Sequence, residues 1–254
     1  MAIAGTTETR NHLYDLGIGM SRPQVFECND GVDRVVKVPG LCSLAALTSD
    51  WLGALLAVHL GLLTPAPALV TVTRESIRSM PPELGRAALP GVGFGTTYIT
   101  SAQPVLGVAS IEACSNHSDI LARTTALDVW IGTLDRMTPN FGRNLLIDAE
   151  DGHLRLMAID FGMAFTDVLV QLVGTSTTPD PVAVIDRRIR TLLDLRALSA
   201  AIADIESITN VELLEFGSTV PQAWISEQTR QRVIDFLSDR RLLVRAAVAK
   251  GLAA

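Results

Sequence analysis

The chain of 254 residues contains few cysteines: Cys28, Cys42 and Cys114. They lie far apart, form no CxxC pair and are odd in number, which argues against a zinc site or a disulfide framework and favours a reduced, cytoplasmic protein. Basic residues are fewer than acidic ones, with a formal net charge of −6 and a pI of about 5.2. This balance disfavours sequence-independent binding to nucleic acids or anionic membranes, but it leaves room for a local basic cleft that holds an anionic ligand.

The N-terminus lacks the basic start and apolar region of a signal peptide. The segment from Trp51 to Thr73 lacks acidic and basic residues, and its length would suffice to span a bilayer. Pro65 and Pro67 divide it, however, and leave a helical part that is too short to span. We therefore predict a buried helix over about residues 44–63, a proline-bounded loop and a strand with the sequence ALVTVT.

Apolar residues make up 48% and charged residues 19% of the chain, as in a folded globular protein. The runs PQVFEC and DRVVKV flank an Asn-Asp-Gly turn and predict a β-hairpin, and GTTYIT predicts a further short strand. After about residue 101 the pattern becomes mostly helical, including the run PVAVIDRRIRTLLDLRALSAAIADI. We predict an α+β fold with a small β-rich N-terminal lobe (residues 1–100), a larger helical C-terminal lobe (residues 101–254) and a ligand cleft between them.

The segment NLLIDAEDGHLRLMAID has the pattern of two strands around a turn at residues 151–152. Counted outwards from that turn, Asn144 faces Ile159, so Asn144 and Asp160 meet at the open end of the hairpin. Asp135 lies just upstream, in a loop that leads into the first strand. Hairpin geometry therefore brings one acid and one pair of metal-ligand candidates together.

Phosphoryl transfer needs such a set of side chains. Magnesium prefers hard oxygen ligands and takes one or two carboxylates together with phosphate oxygens, which the carboxylate of Asp160 and the amide oxygen of Asn144 fit. The carboxylate of Asp135 can orient an attacking hydroxyl and accept its proton. We expect Gly162, in the Asp-Phe-Gly run, to let the chain turn sharply.

The N-terminal part supplies the complementary charge. Lys37 stands inside an apolar strand, where a lysine is costly to bury unless it meets an anion such as an ATP phosphate. The loop Gly17-Ile18-Gly19-Met20-Ser21 could lay backbone N–H groups over phosphates, although this glycine signal is weak by itself. Each residue also has a structural explanation, such as a lysine that extends from an edge strand into solvent. The order of the elements along the chain favours the joint, catalytic interpretation.

These elements resemble the HipA-like kinases, a branch of the protein-kinase-like fold with an Asp-Arg-x-x-x-Asn type of catalytic loop similar to that of phosphoinositide kinases. The resembling segments are GMSRPQVFECNDGVDRVVKV, LGLLTPAPALV, FGTTYI, LDRMTPNFGRNLLI, LMAIDFGMAF and VPQAW, spread over about residues 13–225. The catalytic segment is specific to the family, and the N-terminal segments are moderately so.

The resemblance implies a two-lobed protein-kinase-like fold and a set of roles. Lys37 would bind ATP phosphates and Ser21 would lie in the phosphate loop. Asp135 would be the catalytic base, and Asn144 and Asp160 would hold magnesium. The hinge beside the adenine would consist of Tyr98, Ile99 and Thr100.

Two departures from the family pattern leave alternatives open. Asn144 follows Asp135 by nine residues, whereas Asn140 follows it by five, the spacing of protein kinases. We favour Asn144 because it directly precedes the Leu-Leu strand, with Asn140 as the fallback. In place of the glutamate expected to pair with Lys37, the following helix offers Asp50, one methylene shorter, so that either the helix lies closer or the pair is weak.

We predict an ATP- and magnesium-dependent kinase that transfers the γ-phosphoryl group to a hydroxyl, most favourably that of a protein Ser or Thr. A small-molecule or phosphoinositide-like kinase is the alternative enzyme, although an acidic chain disfavours docking to anionic lipid headgroups. A nucleotide-binding pseudokinase is the alternative from another class. Its signatures are Asp50, the long loop and Met137, which stands where family members often have His or Thr after Asp-Arg. An antitoxin-like regulator is compatible with the resemblance.

Overall fold

The computed structural model describes residues 6–17, 19–133, 135–136, 142–150, 152–169 and 185–253. Five strands close into a barrel in the order β1-β2-β3-β5-β4, and all neighbours are antiparallel except β1 and β4. The strands are β1 (Thr7–Asp15), β2 (Gln24–Cys28), β3 (Asp33–Lys37), β4 (Pro67–Val72) and β5 (Gly91–Thr97).

The barrel confirms the predicted hairpin, since β2 and β3 pair from Gln24 opposite Val36 to Glu27 opposite Asp33. The predicted strand GTTYIT is wrong at its C-terminal end, because β5 ends at Thr97. Its two partners run out there, since Thr97 pairs with Arg34 near the start of β3, and Thr96 pairs with the first residue of β4. The chain therefore leaves the sheet at Tyr98.

The helix α1 (Leu44–His59) begins where predicted, because the Ser43 hydroxyl accepts a hydrogen bond from the backbone N–H of Ala46. It ends four residues before the expected Leu63, and Gly61 takes the left-handed conformation (φ 69°) that commonly follows a helix end. The uncharged segment is thus a helix, a loop and a strand, as predicted. Within the described ranges, no helix has the length and apolarity needed to cross a membrane.

A second sheet has three antiparallel strands in the order β6-β7-β8: β6 (Gln103–Pro104), β7 (Leu145–Glu150) and β8 (His153–Ala158). The other helices of the described residues are α2 (Arg74–Arg78), α3 (Pro82–Gly85), α4 (Val108–Glu112), α5 (His117–Ile131), α6 (Thr166–Leu169), α7 (Arg187–Arg190), α8 (Leu195–Ser207), α9 (Asn210–Ser218), α10 (Glu227–Arg241) and α11 (Val244–Ala253).

The mostly helical run that ends at Ile205 is divided, in its described part, into α7 and α8. Asp194 starts α8 afresh, because its carboxylate accepts hydrogen bonds from the backbone N–H groups of Arg196 and Ala197. A side chain that caps a helix offers the backbone an alternative to helical hydrogen bonds, so a capping residue inside a periodic run can divide it.

Three buried tryptophans link distant parts of the chain through their indole N–H groups. Trp51 of α1 donates to the Thr219 hydroxyl at 2.8 Å, and Trp224 donates to the carbonyl of Val92 in β5 at 2.9 Å. Trp130 of α5 donates to the carbonyl of Leu237 in α10 at 2.9 Å. Each buried ring therefore satisfies its polar group, and the barrel, α1 and the helices after it are joined.

Candidate active site

A cavity of about 600 Å³ lies where the barrel, α1 and the open end of the β7–β8 hairpin meet. Its walls are largely apolar and include Val35, Ala54, Phe94 and Leu145. The charged and metal-ligand candidates that line it are Lys37, Asp50, Arg143, Asn144 and Asp160. An apolar cavity with a few converging polar groups is the usual form of a small-molecule site.

Lys37 is placed between two carboxylates. Its Nζ lies 2.7 Å from Asp50 Oδ2 and 2.7 Å from Asp160 Oδ1. Asp50 is completely buried on α1, whereas the side chain of Asp160 is 38% exposed. Of the two alternatives for Asp50, the structure has the closer helix: the shorter carboxylate reaches the ammonium directly.

The pKa values of Lys37, Asp50 and Asp160 depend on one another, because one ammonium contacts two carboxylates. Burial by itself would lower the pKa of Lys37, but Asp50 and Asp160 outweigh it and raise that pKa. Burial raises the pKa of Asp50 to about 6 against the effect of Lys37, and Asp160 adds to the rise. For Asp160, burial acts upwards, but the ammonium and the Gly162 N–H lower the pKa below its ordinary value. At neutral pH all three groups are ionised, and their net charge is negative.

Asp50 also holds the Asp-Phe-Gly segment, because its Oδ1 accepts a hydrogen bond of 3.0 Å from the backbone N–H of Phe161. The chain turns over residues 162–165, and the residue with left-handed backbone before this turn is Asp160 (φ 57°). Gly162 allows the side chains of Asp50 and Lys37 to lie close to the backbone. A Cβ at this residue would lie 3.1 Å from Asp50 Oδ2 and 3.3 Å from Lys37 Nζ. A side chain at residue 162 would press on this ion network.

The hairpin register is as predicted. Leu145 pairs with Ala158, and the backbone N–H of Ile159 donates to the carbonyl of Asn144 at 3.0 Å. The Asn144 amide donates to Asp135 Oδ2 at 3.0 Å. Asp135 Oδ1 is buried and has no hydrogen-bond partner within the described part of the chain. The structure thus brings Asp135 beside Asn144, although Asp135 is not among the described residues of the cavity wall.

The residues predicted at the nucleotide divide into two groups. Gly19, Ser21, Tyr98 and Ile99 line the cavity. Thr100 is exposed and is not among the described residues of the cavity wall. Asn140, the fallback metal ligand, lies outside the described residues, as does Met137.

Sequence reasoning missed a second buried ion pair. The side chain of Arg136 is completely buried, and its Nε lies 2.9 Å from Asp128 Oδ2 on α5. Burial raises the pKa of Asp128 to about 6, with Arg136 acting in the opposite direction. The signal in the sequence was an aspartate within the apolar run Leu127 to Ile131 of α5, because such a charge is rarely buried without a partner.

Arg143 was also missed. It is exposed, lines the cavity next to Asn144, and has no ion pair within the described residues. It adds a positive charge to a wall whose other cation, Lys37, already serves two carboxylates. This is the local basic feature that an acidic chain still permits.

The donor set near Asp160 fits a divalent cation that brings its own phosphate ligands. Asp160 Oδ1 contacts Lys37, and the second carboxylate oxygen together with the amide oxygen of Asn144 offers hard ligands. The described ranges contain no group of three His, Cys, Asp or Glu residues that could hold a metal alone. Magnesium usually binds through one or two carboxylates and substrate phosphates, so a complete protein cage is not required.

Comparisons with known proteins concern the family and the fold of the chain. A sequence model described as HipA-like kinase matches residues 14–245. A search of curated proteins found no match.

Solved structures show a similar fold at low sequence identity. The crystal structure of the Helicobacter pylori proinflammatory kinase CtkA has a TM-score of 0.62 at 12% identity and covers 94% of each chain. The Golgi casein kinase with Mn/ADP bound has a TM-score of 0.56 at 13% identity, covering 98% of this chain and 75% of that one. Hydra Fam20 with sugar has a TM-score of 0.53 at 12% identity, covering 100% and 86%. The fold is therefore kinase-like, with mixed α and β elements.

Proposed function

The chain belongs to the HipA-like kinase family, and on this basis we propose that it binds ATP and magnesium and transfers the γ-phosphoryl group to a hydroxyl. The proposal includes two lobes, residues 1–100 and 101–254, with the nucleotide between them. The observation that carries it is the ammonium of Lys37 between Asp50 and Asp160 at the end of a 600 Å³ cavity, with Asp135 beside Asn144.

In this proposal the barrel side of the cavity binds the nucleotide. The adenine lies against the hinge of Tyr98 and Ile99, and Gly19 and Ser21 cover the phosphates. Lys37 binds the phosphates while Asp50 keeps it oriented. Thr100 contributes no contact, because it is exposed and outside the described cavity wall.

Asp135 carries the chemical step. Its Oδ2 accepts a hydrogen bond from the Asn144 amide, and its Oδ1, which is buried and has no partner among the described residues, accepts the proton of the acceptor hydroxyl. The hydroxyl oxygen forms a bond to the γ-phosphorus while the bond from that phosphorus to the β–γ bridging oxygen breaks, and ADP leaves. Asn144 and Asp160 would hold magnesium, which would supply positive charge to neutralise the phosphate oxygens.

We propose a protein Ser or Thr as the acceptor. The fold similarity to a kinase named for casein supports this choice. Hydra Fam20 was solved with a sugar, which supports a small-molecule acceptor as the second candidate. The proposal extends to a cytoplasmic enzyme under the control of an antitoxin-like protein.

The chain permits a direct test because it has two lysines, Lys37 and Lys250. An acyl phosphate derivative of ATP acylates amines that lie next to its bound phosphates. We expect it to label the buried Lys37 in preference to the exposed Lys250, and excess Mg-ATP should prevent the labelling. Preferential labelling of Lys250 would contradict nucleotide binding at this site.

Turnover is tested separately with labelled γ-phosphate and three acceptors: the protein itself, a lysate and a mixture of small hydroxyl compounds. Asp135→Asn keeps the shape of the side chain and removes the base, so it should lower transfer by about 10²–10⁴-fold. Labelling of Lys37 without transfer to any acceptor would indicate a pseudokinase. Equal transfer by wild type and Asp135→Asn would remove Asp135 from its proposed role.

A further inference from the structure

Arg136 directly follows Asp135, and it is not among the described residues that line the cavity. Besides Asp128 it contacts two backbone carbonyls: its guanidinium NH1 group donates to the carbonyl of Asn144 and, at 2.7 Å, to that of Ile159. The guanidinium carbon also lies 5.0 Å from the centre of the Phe161 ring. One buried cation therefore contacts backbone at both strands of the hairpin's open end and the ring of the Asp-Phe-Gly segment.

The two carbonyls belong to the backbone that carries the candidate metal ligands. One belongs to Asn144 itself, and the other belongs to the residue directly before Asp160. Both ligand candidates have left-handed backbone, with φ of 62° for Asn144 and 57° for Asp160. This conformation is uncommon for residues other than glycine, and although Asn and Asp adopt it more readily than most, neighbouring groups help to hold it.

The charge of Arg136 is itself held in place. Asp128 is 2% exposed and binds Arg136 from α5, a helix whose position is fixed by the core. The planar guanidinium can serve a carboxylate and two carbonyls at once because its donors diverge in fixed directions. A lysine could keep the charge but could not reproduce this fork.

We propose that Arg136, oriented by Asp128, is a positioning residue that fixes the backbone at Asn144 and Asp160 so that their side-chain oxygens can hold a divalent cation. This inference rests on the proposed function, because it concerns the magnesium of the same site. It assigns to the Arg136–Asp128 pair a role beyond joining α5 to the loop.

The deciding variant replaces both charges by apolar side chains, Asp128→Leu with Arg136→Met. Such a replacement often keeps or improves stability, because no buried charge is left without a partner. A pair that only holds the fold together would thus be replaced without loss. If the pair positions the backbone, its loss should show even in a well-folded double variant, since the Ile159 carbonyl loses its Arg136 donor and the Asn144 carbonyl keeps the Ile159 N–H alone.

The first readout is the affinity for ADP with and without magnesium. We expect the double variant to bind metal-free ADP like the wild type, while the gain in ADP affinity from magnesium falls by about 10–100-fold. Arg34→Met is the matched control, because Arg34 is a buried arginine that binds a carboxylate and a backbone carbonyl outside the cavity wall. An unchanged magnesium gain in the double variant would overturn the proposal.

The second readout needs no nucleotide. The Ile159 N–H donates to the Asn144 carbonyl that Arg136 also binds, so its hydrogen-exchange protection reports the geometry of the open end. We expect protection in the wild type and selective loss in the double variant, and retained protection would overturn the proposal. If the wild type transfers no phosphate but the double variant still loses protection, the proposed function is refuted. The positioning role of Arg136 is then retained.

If the double variant has a much lower melting temperature than the wild type, Arg136→Lys provides a second test. It retains the ion pair with Asp128 but lacks the fork, so the magnesium gain should fall in this variant too while metal-free ADP affinity stays unchanged. A lysine variant with the full magnesium gain would show that charge alone suffices and would overturn the positioning role.

Discussion

The Lys37 network and the Arg136 network each join a buried cation to a buried carboxylate, but their charges are balanced differently. Lys37 faces two carboxylates, one of which is 38% exposed towards the cavity. Arg136 faces one carboxylate, and the other partners of its guanidinium are neutral backbone carbonyls. The first network has an excess of negative charge at an opening, and the second is neutral and closed.

This difference separates a site that can take a further cation from one that cannot. An exposed excess carboxylate beside an ammonium can bind a metal without the loss of existing contacts, since Asp160 keeps one oxygen on Lys37 and has another to offer. The Arg136–Asp128 pair is buried and also binds backbone carbonyls, so it fixes the backbone conformation and offers no oxygen to a cation from solvent. The two networks meet at the segment from Ile159 to Gly162, so the open network relies on the backbone that the closed one holds.

The largest expected effect is on turnover at the open network. Asp160→Asn removes the excess charge and keeps the size of the side chain, so phosphoryl transfer should fall by about 10³-fold or more. The melting temperature should stay close to that of the wild type, because the side chain is partly exposed and Lys37 keeps Asp50. Label transfer and thermal unfolding measured on one preparation check both parts. A large drop in melting temperature would show that this network is as structural as the closed one.

The next largest effect is on stability, and it concerns Lys37 and Asp50, the buried part of the Lys37 network. Lys37→Met leaves Asp50 buried without its cation, which should lower the free energy of unfolding by about 3–5 kcal/mol. Urea unfolding at pH 7 measures this change. Lys250→Met is the control, because that lysine is exposed and its loss should change stability by no more than about 0.5 kcal/mol. Equal effects of the two substitutions would contradict a buried ion pair at Lys37.

A smaller effect distinguishes the closed network by pH. Burial raises the pKa of Asp128 from 3.8 to about 6, while Arg136 acts downwards and Asp135 upwards. Since the folded state holds this proton more tightly than the unfolded state, the contribution of Asp128 is fully present below pH 3.8 and is lost as the pH rises through 6.

The stability of the wild type relative to Asp128→Asn should therefore fall between pH 4 and pH 7. Urea midpoints of both proteins at four pH values measure this difference directly. A difference that is constant across the range, or one that grows with pH, would mean that the pKa of Asp128 is not raised.

Local sequence patterns were sufficient for the hairpin. A two-residue connection at residues 151–152 determines which residues face each other, so the meeting of Asn144 with Ile159 followed from counting. The start of α1 near Leu44 was also predicted, and the structure shows that Ser43 caps it. The pairing of Asp50 with Lys37 was expected from the resemblance to the HipA-like kinases, although the distance depended on how α1 packs.

The closed network could not be predicted in the same way. Asp128 and Arg136 stand eight residues apart, but their contact depends on the chain turning after α5, where Gly132 has left-handed backbone (φ 77°). The strand β1 was missed because its inward-facing residues near the start are Thr7 and Thr9. Their hydroxyls bond to Asn29, just after β2, and to Ser76 on α2. Closure of a barrel and the partners of buried charges are tertiary properties, and no local pattern specifies them.

The smallest expected effect tests the charge balance of the cavity itself. Arg143 is the cavity-lining cation that has no carboxylate partner in the described ranges, whereas Lys37 is shared by two. Arg143→Ala should weaken binding of Mg-ATP by about threefold to tenfold, which is on the order of 1 kcal/mol, and should leave adenosine binding unchanged.

Titrations with the two ligands separate phosphate recognition from shape, and added salt should reduce the difference because the side chain is exposed. Arg196→Ala is the matched control, since Arg196 is also exposed but lies on α8 away from the cavity wall. An equal loss for adenosine and Mg-ATP would mean that Arg143 shapes the wall. The excess negative charge at Lys37 would then be balanced by the magnesium that accompanies the nucleotide, with no contribution from this arginine.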